Sequence, residues 1–535
     1  MVVQPRSTSA RQSARHFALP KTTSPFRARL GNLSIPTAVL LLTLLAGCAV
    51  GPDYARPQLD LPLAYKEAGP WKNATPGQID SNQHWWEAFG DPVLNGLIVQ
   101  ANQANQNIRQ AEAQYRQAQA TAQLARASLW PTVGISAGPS RARTNSATTG
   151  SRLTDTYSAG LNASWEADVW GKLRRSAESG DASEQASAAS LAAARLSIQA
   201  TLAQDYLQLR VTDLQKDLYA RTVAAYTRSL QLTQSQYQAG VTLRSDVAQA
   251  ETQLRSAQAQ LIDLDATRNQ LEHAIAILTG QAPASFTLAP LPSRLTTEDA
   301  DNSNPQQALT DIKLLQVALP EIPTGLPSSL LERRPDIANA ERLAAAANAN
   351  IGVARAAYFP SLTLNASGGY NSVAFGQLFD TPSRVWSLGA TLAATLFDGG
   401  ARSARNAQAD AAFDASVAQY KQTVLGGLQE VEDNLSTLRV LDQENAVQAQ
   451  AVSAAQLAQR LAMSQYRAGT ATYLSVVTTQ ATALTNQRTA VQLLGRQLVA
   501  SVALIKAVGG GWQAAPDKLP PQADAAAQAT ATQPR

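Results

Sequence analysis

The one thiol of the chain, Cys48, is the residue best placed to do chemistry, and its setting decides which chemistry. A cysteine reacts through its thiolate. This one ends Leu45-Ala46-Gly47-Cys48, which closes the apolar run Ala38-Val39-Leu40-Leu41-Leu42-Thr43-Leu44-Leu45. An apolar run of this length, with positive charge before it and small residues after it, has the pattern of a secretory signal and not of a membrane span. The three histidines give less. His16 lies in the expected signal, His84 sits beside Trp85-Trp86, and His273 falls in a helical stretch, so packing or surface roles suit the last two better than ligation. The sequence has no CxxC, HExxH, phosphate-binding loop or GxSxG motif. We therefore expect no catalytic residue, no metal site and no cofactor other than a covalent group on Cys48, and the chain reads as no enzyme.

A cleavage site just before a cysteine resembles a bacterial lipobox. The resemblance implies a diacylglycerol on the Cys48 thiol and a third acyl chain on its new amino group, and several chains anchor where one would not. An ordinary signal peptide followed by a chance or structural cysteine is the alternative. Ala49 stands where an aspartate would favour retention at the inner membrane in many bacteria, so delivery to the outer membrane is expected. Residues 1–47 hold six basic residues and no acid, which leaves 38 basic against 40 acidic residues in the mature chain, near −2. The basic character belongs to the removed segment and is no argument for nucleic acid. A single cysteine allows no intramolecular disulfide. After Cys48 no apolar run of about 20 residues occurs, so any bilayer crossing must use strands closed into a barrel.

The elements that follow must do the positioning. Residues 49–70 are rich in proline and small residues and read as an extended tether. Trp85 to Pro92 opens a helix, with Asp91 as N-cap and Pro92 at its first position, running to about Leu129 before Trp130-Pro131 ends it. Strands are expected at roughly 132–143 and 155–167, the second alternating Leu161, Ala163 and Trp165 with Asn162, Ser164 and Glu166. A long helix spans Lys172 to Tyr237, and Gly240 breaks it. The return helix has heptad-like spacing: Val247, Ala250, Leu254, Ala257, Leu261, Leu264, Leu271, Ile275, Leu278. Residues 280–333 are proline-punctuated and lose helical period. The pattern then restarts: Asp336 caps a helix ending at Tyr358-Phe359-Pro360, strands follow at about 361–374 and 384–397, a long helix reaches about Tyr466, Gly469 breaks it, and a last helix runs from Tyr473 to about Val508. Gly509-Gly510-Gly511-Trp512 closes the structured part, and an Ala/Gln/Pro tail follows.

Ser235-Gln236-Tyr237-Gln238-Ala239-Gly240 matches Ser464-Gln465-Tyr466-Arg467-Ala468-Gly469 at an offset of 229 residues, and Trp130-Pro131 matches Phe359-Pro360 at the same offset. The chain is thus an internal two-fold repeat. The organisation reads as signal peptide 1–47, tether 48–90, first repeat 91–279, insert 280–333, second repeat 334–508 and tail 509–535. The fold is mainly α with a small β part. Four strands per chain are long enough to cross a bilayer but too few to close, so several copies must share one barrel. Trp130, Trp165, Trp170, Tyr358, Phe359 and Phe397 gather where strands meet helices, as a girdle at the inner membrane face would. The long helices then continue the barrel by ~100 Å.

Pro327-Ser328-Ser329-Leu330-Leu331-Glu332-Arg333-Arg334-Pro335-Asp336-Ile337, with Ala340-Glu341 and Ile351-Gly352, closely resembles the outer-membrane factors of tripartite efflux pumps. So do Trp86 to Leu97, Ala357-Tyr358-Phe359-Pro360 and Phe397-Asp398-Gly399-Gly400. The start at Cys48-Ala49-Val50-Gly51-Pro52-Asp53-Tyr54 is similar to the lipoprotein branch, the OprM and NodT-like channels related to TolC. The resemblance implies a homotrimer with a twelve-stranded outer-membrane β-barrel, a periplasmic α-helical barrel and an equatorial domain at mid-height. It implies as partners a periplasmic membrane-fusion adaptor, an inner-membrane RND exporter and outer-membrane lipid, with small toxic molecules as cargo. An ATP-driven type I secretion channel and a periplasmic coiled-coil structural or adaptor lipoprotein are the competing readings.

The same resemblance places the adaptor contact at the tips, Gly240 and Gly469, with Val241, Asp246 and Val247 matching the motif after the first tip. Asp246 as a simple helix cap is the alternative. It places the periplasmic gate near the start of the last helix, at Leu474 and Thr478. Relatives latch this region with an aspartate and an arginine, at positions that resemble Thr478 and Ala481 here, so we expect a packed ring of Leu474 to seal. Glu432 and Asp433 are alternative pore acids, though on a long helix a solvated face suits them better.

Overall fold

A computed structural model describes residues 49–67, 84–146, 148, 150–291 and 333–511. The expected signal peptide, the expected lipidation site Cys48, the Pro327–Glu332 part of the motif, residues 292–332 of the insert and the tail from Trp512 lie outside the described residues.

After a 3-10 turn at Trp85–Phe89 come α1 (Pro92–Ala104), α2 (Gln106–Ala127), β1 (Thr132–Ser146), β2 (Gly150–Ala167), α3 (Lys172–Gln238) and α4 (Arg244–Leu278). The second half holds α5 (Pro335–Ala356), β3 (Ser361–Ser372), β4 (Arg384–Ala393), α6 (Ala401–Arg467) and α7 (Tyr473–Ala507). α2 and α5, α3 and α6, and α4 and α7 correspond at both ends with the same offset of 229 residues. α3 and α6 each have 67 residues, ~100 Å of helix at about 1.5 Å per residue. Leu191, Leu202 and Leu209 on α3 are buried, as are Ala250, Leu254, Ala257 and Ile275 of the α4 heptads, while Val247, Leu261, Leu264, Leu271 and Leu278 of those heptads are half-buried.

Asp91 caps α1 as expected, accepting from Val93 N at 2.8 Å and Leu94 N at 3.2 Å. The single helix expected over Pro92–Leu129 is instead two, broken at Asn105. There the backbone turns extended, and the side chain accepts from Asn107 N and Ile108 N while donating to the Leu278 carbonyl at 2.8 Å. That carbonyl belongs to the last turn of α4, whose end has no intrahelical donor left for it. In the second repeat the corresponding residue is Arg334, which donates to the corresponding carbonyl of Ala507 at 2.9 Å. Arg334, not Asp336, holds the N-cap position of α5. Asp336 lies within the first turn, two residues on, and grips the Arg334 guanidinium at 2.6 Å and 3.0 Å, with Glu430 at 2.7 Å completing the cage.

The four strands form one antiparallel sheet in the order β1-β2-β3-β4, so β1 and β4 are its edges. The first hairpin is longer than expected, and β4 ends at Ala393, not 397. Its pairing stops where Ala393 meets Ser361, because Pro360 before it has no N–H to continue the ladder. The main core lies lower, where Phe89, Leu94, Ile98, Tyr206, Ile275, Ile337, Tyr420, Leu435 and Val502 are buried together. Each such aliphatic burial is worth about 1.5–3 kcal/mol.

Two non-helical segments are tied onto this helical body. The N-terminal strap runs from Val50 N, bonded to Trp170 O at 3.0 Å, past Pro52 O, which takes Asn348 Nδ2, to Lys66 N and Glu67 N on the Glu432 carboxylate at 2.7 and 2.9 Å. Glu432 therefore serves the strap and does not stand free as a pore acid. Residues 286–291 are held by a buried set on α3 and α4. Asp213 bridges Arg210 and Arg268, Arg268 also pairs with Glu272, and the arginines donate to the carbonyls of Ala289 and Leu288. The repeat counterpart of Arg210 is Arg439, and it pairs with Glu67 of the strap. Both repeats thus use the same helical position to catch a passing segment at mid-height.

Candidate functional site: sheet, tips and last helix

The alternation of each strand gives the sheet two chemically distinct faces. Register places Val133 and Ile135 beside Ala163 and Leu161, then Ala366 and Gly368, then Leu388 and Trp386 on one face. The other face reads Thr132, Gly134 and Ser136, then Ser164, Asn162 and Gly160, then Asn365, Ser367 and Gly369, then Gly389 and Ser387. The apolar face is uncovered: Ile135 is 82% and Leu388 76% exposed. An apolar sheet face this open, on strands with unpaired edges, fits hydrocarbon and a closed barrel better than water.

Aromatic residues mark both borders of that face. At the helical end Trp170 stacks on Phe359 with ring centroids 4.7 Å apart, and its indole N–H bonds Pro360 O at 2.7 Å. Trp165 Nε1 bonds Leu129 O at 2.9 Å, and Trp130, Tyr358 and Phe397 stand exposed nearby in sequence. The six girdle residues expected from sequence thus all lie at strand–helix junctions. At the far end a second set, unread in the sequence, pairs Tyr157 with Phe375 and Tyr370 with Phe379. Its signal was present: Tyr157 and Tyr370 share the strand face of Leu161 and Ala366. From Tyr157 to Trp165 the chain spans about 26 Å at roughly 3.3 Å per residue, the scale of an apolar band tilted across a membrane. Beyond it the apolar pattern ends in the cross-strand ion pair Arg141–Asp155, 3.0 Å apart.

At the opposite end of the long helices the two turns are nearly superposable in their bonding. Gly240 and Gly469 have φ of 71° and 73°, a left-handed conformation that glycine adopts without steric cost. Each donates to the tyrosine carbonyl three residues back at 3.0 Å, and the next residue, Val241 or Thr470, bonds the glutamine carbonyl, Gln236 or Gln465. Val241 and Leu243 are exposed on the first tip. Asp246 lies in the first turn of α4, where its carboxylate accepts from Leu243 N at 3.4 Å and from the Thr242 hydroxyl. Val247 is half-buried on the same turn.

The two tips are tied to one another. Tyr466 and Tyr473 pack 5.3 Å apart with Ala250 and Val476. Their hydroxyls reach α3, Tyr473 to Ser229 at 3.2 Å and Tyr466 to Gln236. Burial raises the Tyr473 hydroxyl pKa above its ordinary value. From this anchor α7 rises with one face uncovered: Leu474, Ser475, Thr478, Ala481, Thr482 and Thr485. The hydroxyls of Thr478, Thr482, Thr485 and Thr489 each donate to the carbonyl four residues back, at 2.8–3.0 Å. Leu474 and Thr478 therefore share a face, one turn apart, close to the Gly469 tip. Among the described residues no group of three or more His, Cys, Asp or Glu is arranged to hold a metal.

The family model described as outer membrane efflux protein matches residues 97–281 and 326–510, the two repeats. The chain is 33% identical to the pyoverdine export outer membrane protein OpmQ of Pseudomonas aeruginosa, over 90% of this chain and 97% of that one. It is 30% identical to the toluene efflux pump outer membrane protein TtgC of Pseudomonas putida, over 88% and 94%. Its structure superposes on the outer-membrane channel OprN with a TM-score of 0.78 at 30% identity, covering 87% of this chain and all of that one. It also superposes on the open state of the Neisseria gonorrhoeae MtrE outer membrane channel, with a TM-score of 0.73 at 27% identity, covering 87% and 99%.

Proposed function

The chain belongs to the outer membrane efflux protein family, and on that premise we propose that three copies join their sheets edge to edge into one barrel whose helical extension meets an adaptor at the Gly240 and Gly469 tips. As a member of that family it is the outer-membrane channel subunit of a tripartite efflux pump, and it extends into the periplasm. The family consists of channel proteins. The observation that carries the trimer is the four-stranded sheet itself. Its β1 and β4 edges are unpaired and one face is uncovered and apolar, so it is complete only when a neighbour's β4 meets β1.

An inner-membrane RND exporter would load this conduit through the adaptor. Relatives named for pyoverdine export and for toluene efflux support small organic molecules as cargo. A lipid on Cys48 fits the position of the next residue. Ala49 lies against Gly171, at the girdle end of the sheet, and one peptide step reaches only about 3.8 Å further. Leu474, exposed at the base of α7, is the side chain we assign to the seal, with Thr478 one turn above.

Detergent-extracted protein should run as a heat-stable trimer and conduct in planar bilayers, and cysteines placed at 242 or 471 should crosslink to an adaptor. A monomer without conductance would sink the channel, and crosslinking confined to position 148 would reverse the orientation. Palmitate labelling should vanish in Cys48→Ser; labelling that persists would remove the lipid assignment.

A further inference from the structure

The two return helices have equal length and equivalent turns before them, yet α4 carries charge of both signs along its length, whereas the charges of α7 are three basic residues, Arg488, Arg496 and Lys506, all C-terminal to Gln487. α4 holds Arg244, Asp246, Glu251, Arg255, Asp263, Asp265, Arg268 and Glu272. Their repeat counterparts on α7 are Tyr473, Ser475, Gln480, Leu484, Gln492, Leu494, Gln497 and Ser501, all uncharged. From Tyr473 to Gln487 α7 has no ionisable group except a tyrosine hydroxyl, and that one is buried. Its open face is a ladder of hydroxyls whose protons are already given to backbone carbonyls, leaving methyl groups and lone pairs outward.

Threonine costs a helix about half a kcal/mol relative to alanine at each position, so helix stability does not account for this composition. The polar face of the sheet has the same character. Between Arg152 at its outer end and Glu166 at its inner end, the residues in register on that face are Ser, Thr, Asn, Gly, Ala and Val. Glu166 is itself neutralised by Lys172 at 3.1 Å. Charges of both signs return on the long helices, as with Asp410 and Lys421 on α6.

We propose that this conduit does not select its cargo by charge: the mouth formed by α7 and the barrel interior are lined by uncharged hydroxyl and amide groups, so neutral, zwitterionic and singly charged polar organic molecules pass alike. The inference rests on the channel reading above. Ion selectivity in pores comes from rings of charged side chains or ordered carbonyls, and clefts lined by one sign of charge concentrate the opposite ion. Neither arrangement occurs on these two faces among the described residues. With three copies, one added carboxylate per chain would create a ring of three.

The test is the reversal potential of purified trimers in planar bilayers under a KCl gradient, for the wild type, Thr478→Asp and Asn162→Asp, each first shown to be a heat-stable trimer. The wild type should give a cation-to-anion permeability ratio close to one, and each variant should shift it several-fold towards cations. If Thr478→Asp does not assemble, Thr482→Asp serves the same face. A wild-type channel that already prefers one sign several-fold would overturn the inference and leave the channel intact. So would variants that assemble and conduct without any shift. Folded trimers without conductance would remove the channel reading, and the inference with it.

Discussion

α4 and α7 are copies of one element with opposite surfaces. α4 displays its charges to solvent and buries Arg268 and Glu272 against the segment at 286–291. α7 packs between α3 and α6, keeps an apolar body, and exposes hydroxyls. α7 is apolar enough by composition to pass as a membrane span, yet half of its most apolar window is buried in the helical body. Its apolarity is therefore packing against neighbours, not immersion in lipid. The difference teaches that duplication conserved the backbone plan, down to the bonds of each turn, while the side chains diverged according to what each copy faces.

The sharpest break in the comparison comes from Asp213 and its counterpart Asp442. Asp213 is buried between two arginines, whereas Asp442 is exposed. Asp213→Ala leaves both guanidiniums buried without their shared carboxylate and should destabilise by about 3–5 kcal/mol. Asp442→Ala should stay within about 0.5 kcal/mol. Thermal denaturation of the two proteins compares them, and equal losses would mean that the two repeats share their energetics at this level after all.

The tips should respond alike. Gly240→Val and Gly469→Val each force a β-branched residue into a left-handed backbone, at a cost of about 1–3 kcal/mol. Hydrogen exchange at the turn amides should accelerate equally in both. A tolerant Gly469 beside an intolerant Gly240 would show that only the first tip keeps a required geometry.

At the next level the copies should differ in function with little change in stability. Leu474→Ser should raise single-channel conductance by removing the apolar ring, while Ser245→Leu, at the same repeat position on α4, should leave it unchanged. An unchanged Leu474→Ser channel, together with a rise on Asp433→Ala, would move the gate to α6.

The smallest effect concerns Asp205 on α3, whose counterpart is Asn434. Burial raises the Asp205 pKa, so the folded state favours its protonated form. Its stabilising contribution is present below the unfolded value, near 3.9, and is lost as pH rises through the higher folded value. Asp205→Asn should therefore melt slightly higher than wild type at pH 7, and the gap should close as the pH falls below that of an ordinary carboxyl group. A gap independent of pH would trace the gain to packing.

Much of this plan was legible in the chain because its causes are local. The caps at Asp91, the prolines after Trp130 and Phe359, the glycines at the tips and the heptads of α4 act within a few residues. The break at Asn105 was not, because its partner is Leu278, 173 residues away. Glu432 read as a solvated or alternative pore acid because nothing near it in sequence announces the strap amides of Lys66 and Glu67, more than 360 residues distant. β4 read too long because Thr395-Leu396-Phe397 keep the alternation after the partner strand has run out; Phe397 stands 89% exposed. On β1 and β2 the opposite error arose. Short polar residues at 144–154 weaken the alternation, while the backbone ladder continues to Ser146–Gly150.

The pairing of β2 with β3 also sets an order of events in biogenesis. Ser164 Oγ bonds Asn365 Oδ1 across 201 residues of chain, so this central seam cannot close until both repeats have been made. The helical hairpins have their partners close by and can form early, whereas a ladder between distant segments waits on a long loop closure. Until then each half carries a two-stranded ribbon with an apolar face and free edges, the kind of surface on which chains stick to one another. The seam that joins the repeats is thus the step at which a newly exported chain most needs an escort.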